Sequence, residues 1–237
     1  MGSGLMKQFA RDRTSGKICL PIVETTVEKA IRAMARARRL ADLVELRVDY
    51  MKNPGWELLL KGREKPCIVT NRRREEGGRY RGDEKSRLAI LRQAICLGSD
   101  FVDLEMESGR SAIFGLMENN IKTRLILSFH DFKKTPPLKE LHGICRRMIR
   151  YGADVIKIVT FAQSWEDNLK ILSLIPYALE RKKKVVALGM GEKGKMSRIF
   201  APLMGAAWTY ASLDRNRTSA PGQLTVRELK EIWGRLR

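Results

Sequence analysis

The chain has 237 residues, and its 46 Lys and Arg residues against 27 Asp and Glu residues give a formal net charge of +19. Hydrophobic residues make up 43% of the chain, a fraction that excludes a disordered tail. The longest segment without a charged residue, 199–213, contains a proline and a glycine and is shorter than the roughly 20 residues of a membrane-spanning helix, so no such helix is predicted.

The start of the chain lacks the apolar run and cleavage site of a secretory signal, so we expect a cytoplasmic protein. We interpret residues 1–17 as an N-terminal tail, in part an artificial addition, and residues 18–237 as one domain. The four cysteines lie far apart and form no Cys-x-x-Cys pair. This spacing argues against a zinc knuckle or a disulfide framework and favours buried, reduced thiols.

Short β-branched runs alternate with longer helical patterns along the chain. The predicted strands are Ile18–Val23, Leu43–Asp49, Cys67–Asn71, Phe101–Glu105, Arg124–Phe129, Val155–Val159, Lys184–Leu188 and Ala207–Ser212. The predicted helices are Val27–Leu40, Trp56–Lys61, Glu84–Leu97, Ser111–Asn119, Leu138–Tyr151, Trp165–Leu179, Met196–Met204 and Val226–Leu236. Thr25 and Thr225 each precede a glutamate by three residues, which predicts capping boxes at two helix starts.

Eight strand-then-helix units are typical of a single (β/α)8 TIM barrel of the α/β class. Several strands are continuous apolar runs, as expected for a parallel sheet that helices cover. An open doubly wound sheet would more often have about five or six strands and a glycine-rich phosphate loop after the first. Here the first strand ends in Val23-Glu24-Thr25, so the barrel is favoured.

Polar residues at the carboxyl ends of barrel strands are candidates for catalysis. Lys157 lies among apolar residues of strand six, and burial favours the neutral amine that can attack a carbonyl group and form a Schiff base. A salt-bridged structural lysine is the alternative. His130 closes strand five and can transfer protons near neutral pH, with a satisfied core histidine as the alternative. His142 is predicted to lie on a helix surface.

Two loops add further polar groups. Segment 71–78 has three consecutive arginines, which by default indicate a solvated loop, but Gly77 and Gly78 permit a sharp turn that brings Glu76 and Arg72 over the barrel mouth. Segment 219–223 precedes the last helix, where backbone N–H groups favour an anion. A carboxylate-bearing substrate would fit there.

Six segments, in order along the chain, resemble type I 3-dehydroquinate dehydratase, the Schiff-base enzyme of the shikimate pathway. They are Glu45-Leu-Arg-Val-Asp49, Arg72-x3-Glu76-Gly-Gly, Ser128-Phe-His-Asp-Phe132 with Thr135-Pro136, Asp154-Val-Ile-Lys157, Met190-Gly-x5-Ser-Arg198 and Ser219-Ala-Pro-Gly-Gln223. Leu188 and Tyr210 stand where the family often has Met and Phe, and segment 214–218 is a longer run within a loop expected to act as a lid.

The resemblance implies conversion of 3-dehydroquinate to 3-dehydroshikimate and water, the third step of the shikimate pathway of aromatic amino acid biosynthesis. Lys157 would form an imine with the C3 ketone, His130 would act as general acid and base, and Glu76 would orient His130. The implied substrate-binding residues are Glu45, Arg47, Arg72, Met190, Arg198, Tyr210, Ser219 and Gln223. Because the iminium is the electron sink, neither a metal nor an organic cofactor is expected, and the family implies a homodimer.

Two rival functions are tested against these patterns. A class I aldolase of sugar phosphates would use the same lysine chemistry but needs a phosphate site, whereas Arg198 and segment 219–223 favour a carboxylate. A nucleic-acid-binding module would explain the charge through clusters at Arg32–Arg39, Arg72–Arg74, Arg146–Arg150 and Arg181–Lys184. Three of the clusters are predicted on separate helices and aromatic residues are only 7% of the chain, so neither a specific nucleic-acid partner nor a membrane partner is expected.

Overall fold

The structure is a computed structural model that describes residues 16–51, 55–118 and 122–236. Most of the predicted tail, and the predicted helix end at Asn119, lie outside the described residues. Within the described ranges eight strands alternate with eight helices. No helix in these ranges is both long enough and apolar enough to span a bilayer.

The strands are β1 (Ile18–Ile22), β2 (Leu43–Arg47), β3 (Cys67–Thr70), β4 (Phe101–Glu105), β5 (Arg124–Asp131), β6 (Val155–Phe161), β7 (Lys184–Met190) and β8 (Thr209–Tyr210). The helices are α1 (Val27–Ala37), α2 (Glu57–Lys61), α3 (Glu84–Cys96), α4 (Arg110–Met117), α5 (Leu138–Arg150), α6 (Asp167–Glu180), α7 (Lys195–Leu203) and α8 (Val226–Arg235). Short 3-10 turns follow β2, β3 and β4 at Val48–Tyr50, Arg74–Glu76 and Met106–Ser108.

Neighbouring strands pair in parallel in the order β7-β6-β5-β4-β3-β2-β1-β8. β8 lies beside β1, with Tyr210 opposite Cys19. On its other side the Ala207 amide donates to the Val185 carbonyl of β7 at 2.8 Å. The sheet therefore forms a nearly closed barrel, which confirms the prediction of a single (β/α)8 TIM barrel.

The predicted elements differ from the observed ones mainly at their ends. β5, β6 and β7 stay paired to Asp131, Phe161 and Met190, beyond their predicted ends. The predicted strand Ala207–Ser212 narrows to β8, because Ser212 pairs instead with Thr225 ahead of α8. The longer strands carry polar side chains to the barrel mouth.

Of the two predicted capping boxes, the one at Thr225 is confirmed and the one at Thr25 is wrong. Thr225 and Glu228 form a capping box, in which the Thr225 amide donates to Glu228 Oε2 at 2.8 Å and the Glu228 amide donates to the Thr225 hydroxyl at 3.2 Å. The prediction for Thr25 is wrong, because Thr26 caps α1 through one longer bond of 3.4 Å from the Lys29 amide.

The hydrophobic core consists of apolar side chains of the strands and of the helix faces that pack against them. Cys19, Cys67 and Cys145 are buried within it, as predicted. Cys96, at the end of α3, is exposed, so the prediction of burial is wrong for this thiol.

The capping geometry yields a stability prediction. Thr225→Ala removes the hydroxyl that accepts from the Glu228 amide, so we expect it to lower the free energy of unfolding by about 1 kcal/mol. Thr26→Ala, which removes only the 3.4 Å bond, is the matched control and should cost less. Urea unfolding followed by circular dichroism measures both variants. An equal or larger loss in Thr26→Ala would contradict this account of the caps.

Candidate active site

One cavity with about 500 Å³ of atom-free space opens at the carboxyl ends of the strands. All eleven residues that the sequence analysis assigned to the site line it, namely Glu45, Arg47, Arg72, Glu76, His130, Lys157, Met190, Arg198, Tyr210, Ser219 and Gln223. Further lining residues are Gly77, Phe132, Val159, Leu188 and Ala220. The fold therefore brings the predicted residues together, while their chemical roles stay predictions.

Lys157 projects from β6 into this cavity and is only 4% exposed. Its Nζ donates to Asp103 Oδ2 at 2.8 Å and to Glu45 Oε1 at 3.1 Å. The ring of Tyr210 lies 4.5 Å from the same nitrogen, so it adds a cation–π contact. The two alternatives for Lys157 thus coincide, because the lysine points into the site and is also salt-bridged.

The contacts of Lys157 extend into a chain of buried charges of alternating sign. Asp103 also pairs with Arg72 at 2.8 Å, Arg72 pairs with Glu105 at 3.0 Å, and Glu105 pairs with Arg87 at 2.6 Å. Burial opposes ionisation of Asp103, yet Arg72 and Lys157 outweigh burial and hold the pKa of Asp103 well below its usual value. We call these five residues the charge chain.

Two members of the charge chain, Asp103 and Arg87, were not identified from the sequence, and a third, Glu105, was given no role. Asp103 and Glu105 are two residues apart in β4, a spacing that places both on the same face of a strand, so the period-two pattern could have identified Asp103. Arg87 lies in the first turn of α3, within a charged segment, and the sequence gives no signal for its burial. The Ser128 hydroxyl, also missed, donates to Asp103 Oδ1 at 2.6 Å.

His130 and Glu76 form a second pair, with Nδ1 of the histidine 2.8 Å from Oε2 of the glutamate. Burial, assisted by the nearby charges of Arg72 and Lys157, lowers the pKa of His130 well below its usual value. Burial also raises the pKa of Glu76 to about 8. Both shifts favour the uncharged form of each group, so the pair does not hold a buried imidazolium.

The turn that carries Glu76 depends on its two glycines. Gly77 has φ +76°, and a Cβ there would lie 2.4 Å from the Phe132 ring. A Cβ on Gly78 would lie 1.9 Å from the Arg72 carbonyl oxygen, closer than any contact allows. The sharp turn expected from the sequence is therefore present, and it places Glu76 against His130.

Arg198 differs from the other buried arginines of the site because it has no carboxylate partner among the described residues. Its Nε makes no hydrogen bond, and its Nη2 donates only to the Pro221 carbonyl at 3.3 Å. Burial lowers the pKa of Arg198 to about 10. Nearby, the Gln223 amide oxygen accepts from the Ser219 amide at 2.8 Å, while Gln223 Nε2 has no partner. These unpaired donors predict an anionic ligand group.

The remaining candidates lie as follows. Arg47 donates to both carboxylate oxygens of Asp49, at 2.9 and 2.8 Å. His142 lies on α5, stacked on Tyr177 with a centroid distance of 3.8 Å and away from the cavity, as predicted. Arg146 and Arg181 both contact Tyr177, so two basic clusters predicted on separate helices meet side by side.

The charge chain yields a second prediction. Arg87→Met leaves Glu105 without one of its two buried cations, so we expect a loss of about 3–5 kcal/mol in the free energy of unfolding. The control is Arg38→Met, which breaks the exposed pair with Glu64 at 2.9 Å and should cost less than about 1 kcal/mol. Urea unfolding of both variants is the measurement. Equal losses of stability in the two variants would contradict this account, because they would show that the buried ion pair of Arg87 contributes no more than an exposed one.

Comparison with known proteins shows the family of the chain. A family profile described as Type I 3-dehydroquinase matches residues 18–236. The 3-dehydroquinate dehydratase of Methanocaldococcus jannaschii is 40% identical over 218 residues, which are 91% of this chain and 97% of that protein. The bifunctional 3-dehydroquinate dehydratase/shikimate dehydrogenase of Arabidopsis thaliana is 34% identical over 222 residues, which are 91% of this chain and 36% of that protein.

Solved structures show the same likeness. The 3-dehydroquinate dehydratase of Geobacillus kaustophilus is 28% identical with a TM-score of 0.84, covering 94% of this chain and 91% of the other. The type I 3-dehydroquinate dehydratase of Clostridium difficile is 25% identical with a TM-score of 0.83, covering 93% and 92%. Since profile, relatives and barrel agree from β1 to α8, the chain belongs to the type I 3-dehydroquinase family of hydro-lyases.

Proposed function

We propose that this chain dehydrates 3-dehydroquinate to 3-dehydroshikimate through a Schiff base on Lys157. The observation that carries the proposal is that one cavity holds an amine, Lys157, that can react with the ketone and a guanidinium, Arg198, that has no carboxylate partner among the described residues and can bind the substrate carboxylate. Family membership favours this substrate over the sugar phosphates of the rival aldolase hypothesis.

The surroundings of Lys157 suit a nitrogen that stays positively charged. When Nζ forms a protonated imine with the C3 ketone, the ketone oxygen leaves as water with two of the ammonium protons, and the positive charge stays on the same nitrogen. Asp103 and Glu45, at 2.8 and 3.1 Å, would therefore stabilise the iminium as they do the resting lysine. The iminium withdraws electrons from C2, which lowers the barrier to removal of the C2 proton.

His130 is the proposed proton carrier, and Glu76 sets its tautomer. When Glu76 is ionised it accepts from Nδ1–H, and Nε2 is left free as a base for the C2 proton. When Glu76 holds a proton it donates to Nδ1, and Nε2–H becomes an acid for the departing C1 hydroxyl. The two forms differ by one proton, so uptake of the C2 proton at Nε2, together with transfer of the Nδ1 proton to Glu76, would convert the base form into the acid form.

Substrate binding is assigned to the remaining residues of the cavity. Arg198, Ser219 and Gln223 would hold the carboxylate, because all three line the cavity and because Arg198 Nε and Gln223 Nε2 have no partner. The proposed contacts of the ring hydroxyls and of the cavity wall are Glu45, Arg47, Arg72, Met190 and Tyr210.

Several further features are proposed from the family alone. We propose residues 18–237 as one catalytic domain that works as a cytoplasmic homodimer in the shikimate pathway, without metal or organic cofactor.

The Schiff base leads to a direct prediction. Lys157→Ala should abolish turnover, and borohydride added with 3-dehydroquinate should yield a mass adduct on Lys157 in the wild type and none in the variant. Lys183→Ala is the control, since its Nζ donates to the Ala153 carbonyl at the opposite end of the barrel, and it should keep wild-type turnover. Peptide mass spectrometry locates the adduct, and an adduct on another residue would refute the assignment.

The tautomer argument predicts a pH dependence. Because burial raises the pKa of Glu76 to about 8, the base form of His130 is present above pH 8 and is lost as the pH falls. We expect the pH profile of kcat/KM, which reports ionisations of the free enzyme, to have an acidic limb below about pH 8 along which the value falls about tenfold per pH unit. Glu76→Gln cannot ionise, so its profile should lack the limb. Steady-state rates from pH 5.5 to 10 (roughly the stable range) test this, and an unchanged limb in Glu76→Gln would assign it to another group.

A further inference from the structure

A second concavity lies at the barrel mouth beside α1 and shares no lining residue with the catalytic cavity. It holds about 1100 Å³ of atom-free space, open to solvent. Its walls are α1, the 3-10 turn after β2, Arg79 and residues 216–218 of the predicted lid. We call it the rim pocket. It accounts for part of the positive charge that the catalytic site does not use.

The rim pocket is lined by five cationic side chains and a single carboxylate. Lys29, Arg32 and Arg36 form one stripe along the exposed face of α1, and Arg79 faces them from the loop after β3. None of these four pairs with a carboxylate among the described residues. The fifth cation, Arg217 of the lid, is 2.5 Å from Glu24, the one acidic group in the pocket.

This charge arrangement favours a multivalent anion. Like charges on one concave surface repel each other, and concave walls focus their potential on whatever occupies the space. Guanidinium groups match phosphate oxygens with two parallel hydrogen bonds. The stripe from Lys29 to Arg36 is about 10 Å long at 1.5 Å per residue, which exceeds one phosphate and suits a chain of phosphates.

We propose that the rim pocket binds a small anion carrying two or more linked phosphate groups. Its chemistry is separate from that of the dehydratase site, which faces a single carboxylate. The proposal does not depend on the Schiff-base mechanism, because binding is measured without substrate.

The rim pocket is connected to the catalytic cavity in two ways. Arg217 belongs to the lid, so a bound anion would compete with Glu24 for it and change how the lid is held. The Tyr50 ring lies between Arg79, at 4.3 Å, and Arg47, at 4.9 Å, and Arg47 lines the catalytic cavity. An anion bound in the rim pocket would therefore change the contacts of the predicted lid, through Arg217, and of the active-site wall, through Arg79, Tyr50 and Arg47.

Calorimetric titration of the full chain with tripolyphosphate at constant ionic strength tests the proposal. We expect one site, an affinity at least about tenfold weaker in Arg32→Gln/Arg36→Gln, and a tighter site in Glu24→Gln, where the competing carboxylate is gone. The control is Arg147→Gln/Arg150→Gln, which removes the same charge from the exposed face of α5 and should change affinity by less than about twofold. The gain in Glu24→Gln cannot arise from misfolding.

Three results would overturn the proposal. Equal losses in the two double variants would show unspecific attraction to net charge, and loss of binding in Arg198→Gln would place the anion in the catalytic cavity. A single-stranded oligonucleotide that displaces tripolyphosphate and binds more tightly would identify a nucleic-acid surface instead. ATP as a second ligand distinguishes the sources: equal affinity indicates recognition of the phosphate chain alone, and tighter binding of ATP indicates a nucleotide.

Discussion

The ion pair between Lys157 and Asp103 is the interaction on which the rest of the site depends. Both groups are buried, and removing either one would leave the other with one fewer opposite charge in the barrel, which is destabilising. Asp103 in turn requires Arg72, and Arg72 requires Glu105, which Arg87 neutralises from α3. The charge chain thus ties the position of the Lys157 amine to β4, β6, the segment after β3 and α3.

At the other end of the cavity, the buried cation is not neutralised by a carboxylate. Arg198 is buried without a carboxylate partner among the described residues, and its Nε has no hydrogen-bond acceptor, so a ligand can supply the missing acceptor. The loop above it fits tightly, since Gly222 has φ +73° and a Cβ there would lie 2.1 Å from the Gly191 carbonyl oxygen. That close approach packs the loop that carries Gln223 against Gly191. Under the proposed function, the contrast between a lysine paired with two carboxylates and an arginine without a carboxylate partner among the described residues would orient the keto acid in one direction.

The sequence predicted the barrel and the residues of the cavity because both depend on patterns along the chain. Apolar runs mark the strands, and polar residues at strand ends meet where parallel strands share one edge. It failed where the deciding contact is between distant segments: Arg87 lies in a helix whose charges predict exposure, yet it is buried against Glu105. The cap at Thr26 was missed by one residue, because helix ends depend on backbone geometry that neighbouring threonines share.

The positive charge separates into parts with different physical roles. Arg72 and Arg87 are structural members of the charge chain, and Arg198 is a candidate ligand group. The stripe on α1 forms a pocket of its own, and the arginines around Tyr177 form a further patch on α5 and α6. Net charge alone therefore describes this protein poorly, since burial and pairing decide what each cation does.

The most direct test of the central account is a crystal structure of the borohydride-reduced complex with 3-dehydroquinate. The account predicts a bond between the substrate C3 and Lys157 Nζ, with the substrate carboxylate on Arg198 and Gln223 and the nitrogen still in contact with Asp103. A carboxylate bound by Arg47 or Arg72, or a bond to any other residue, would contradict it.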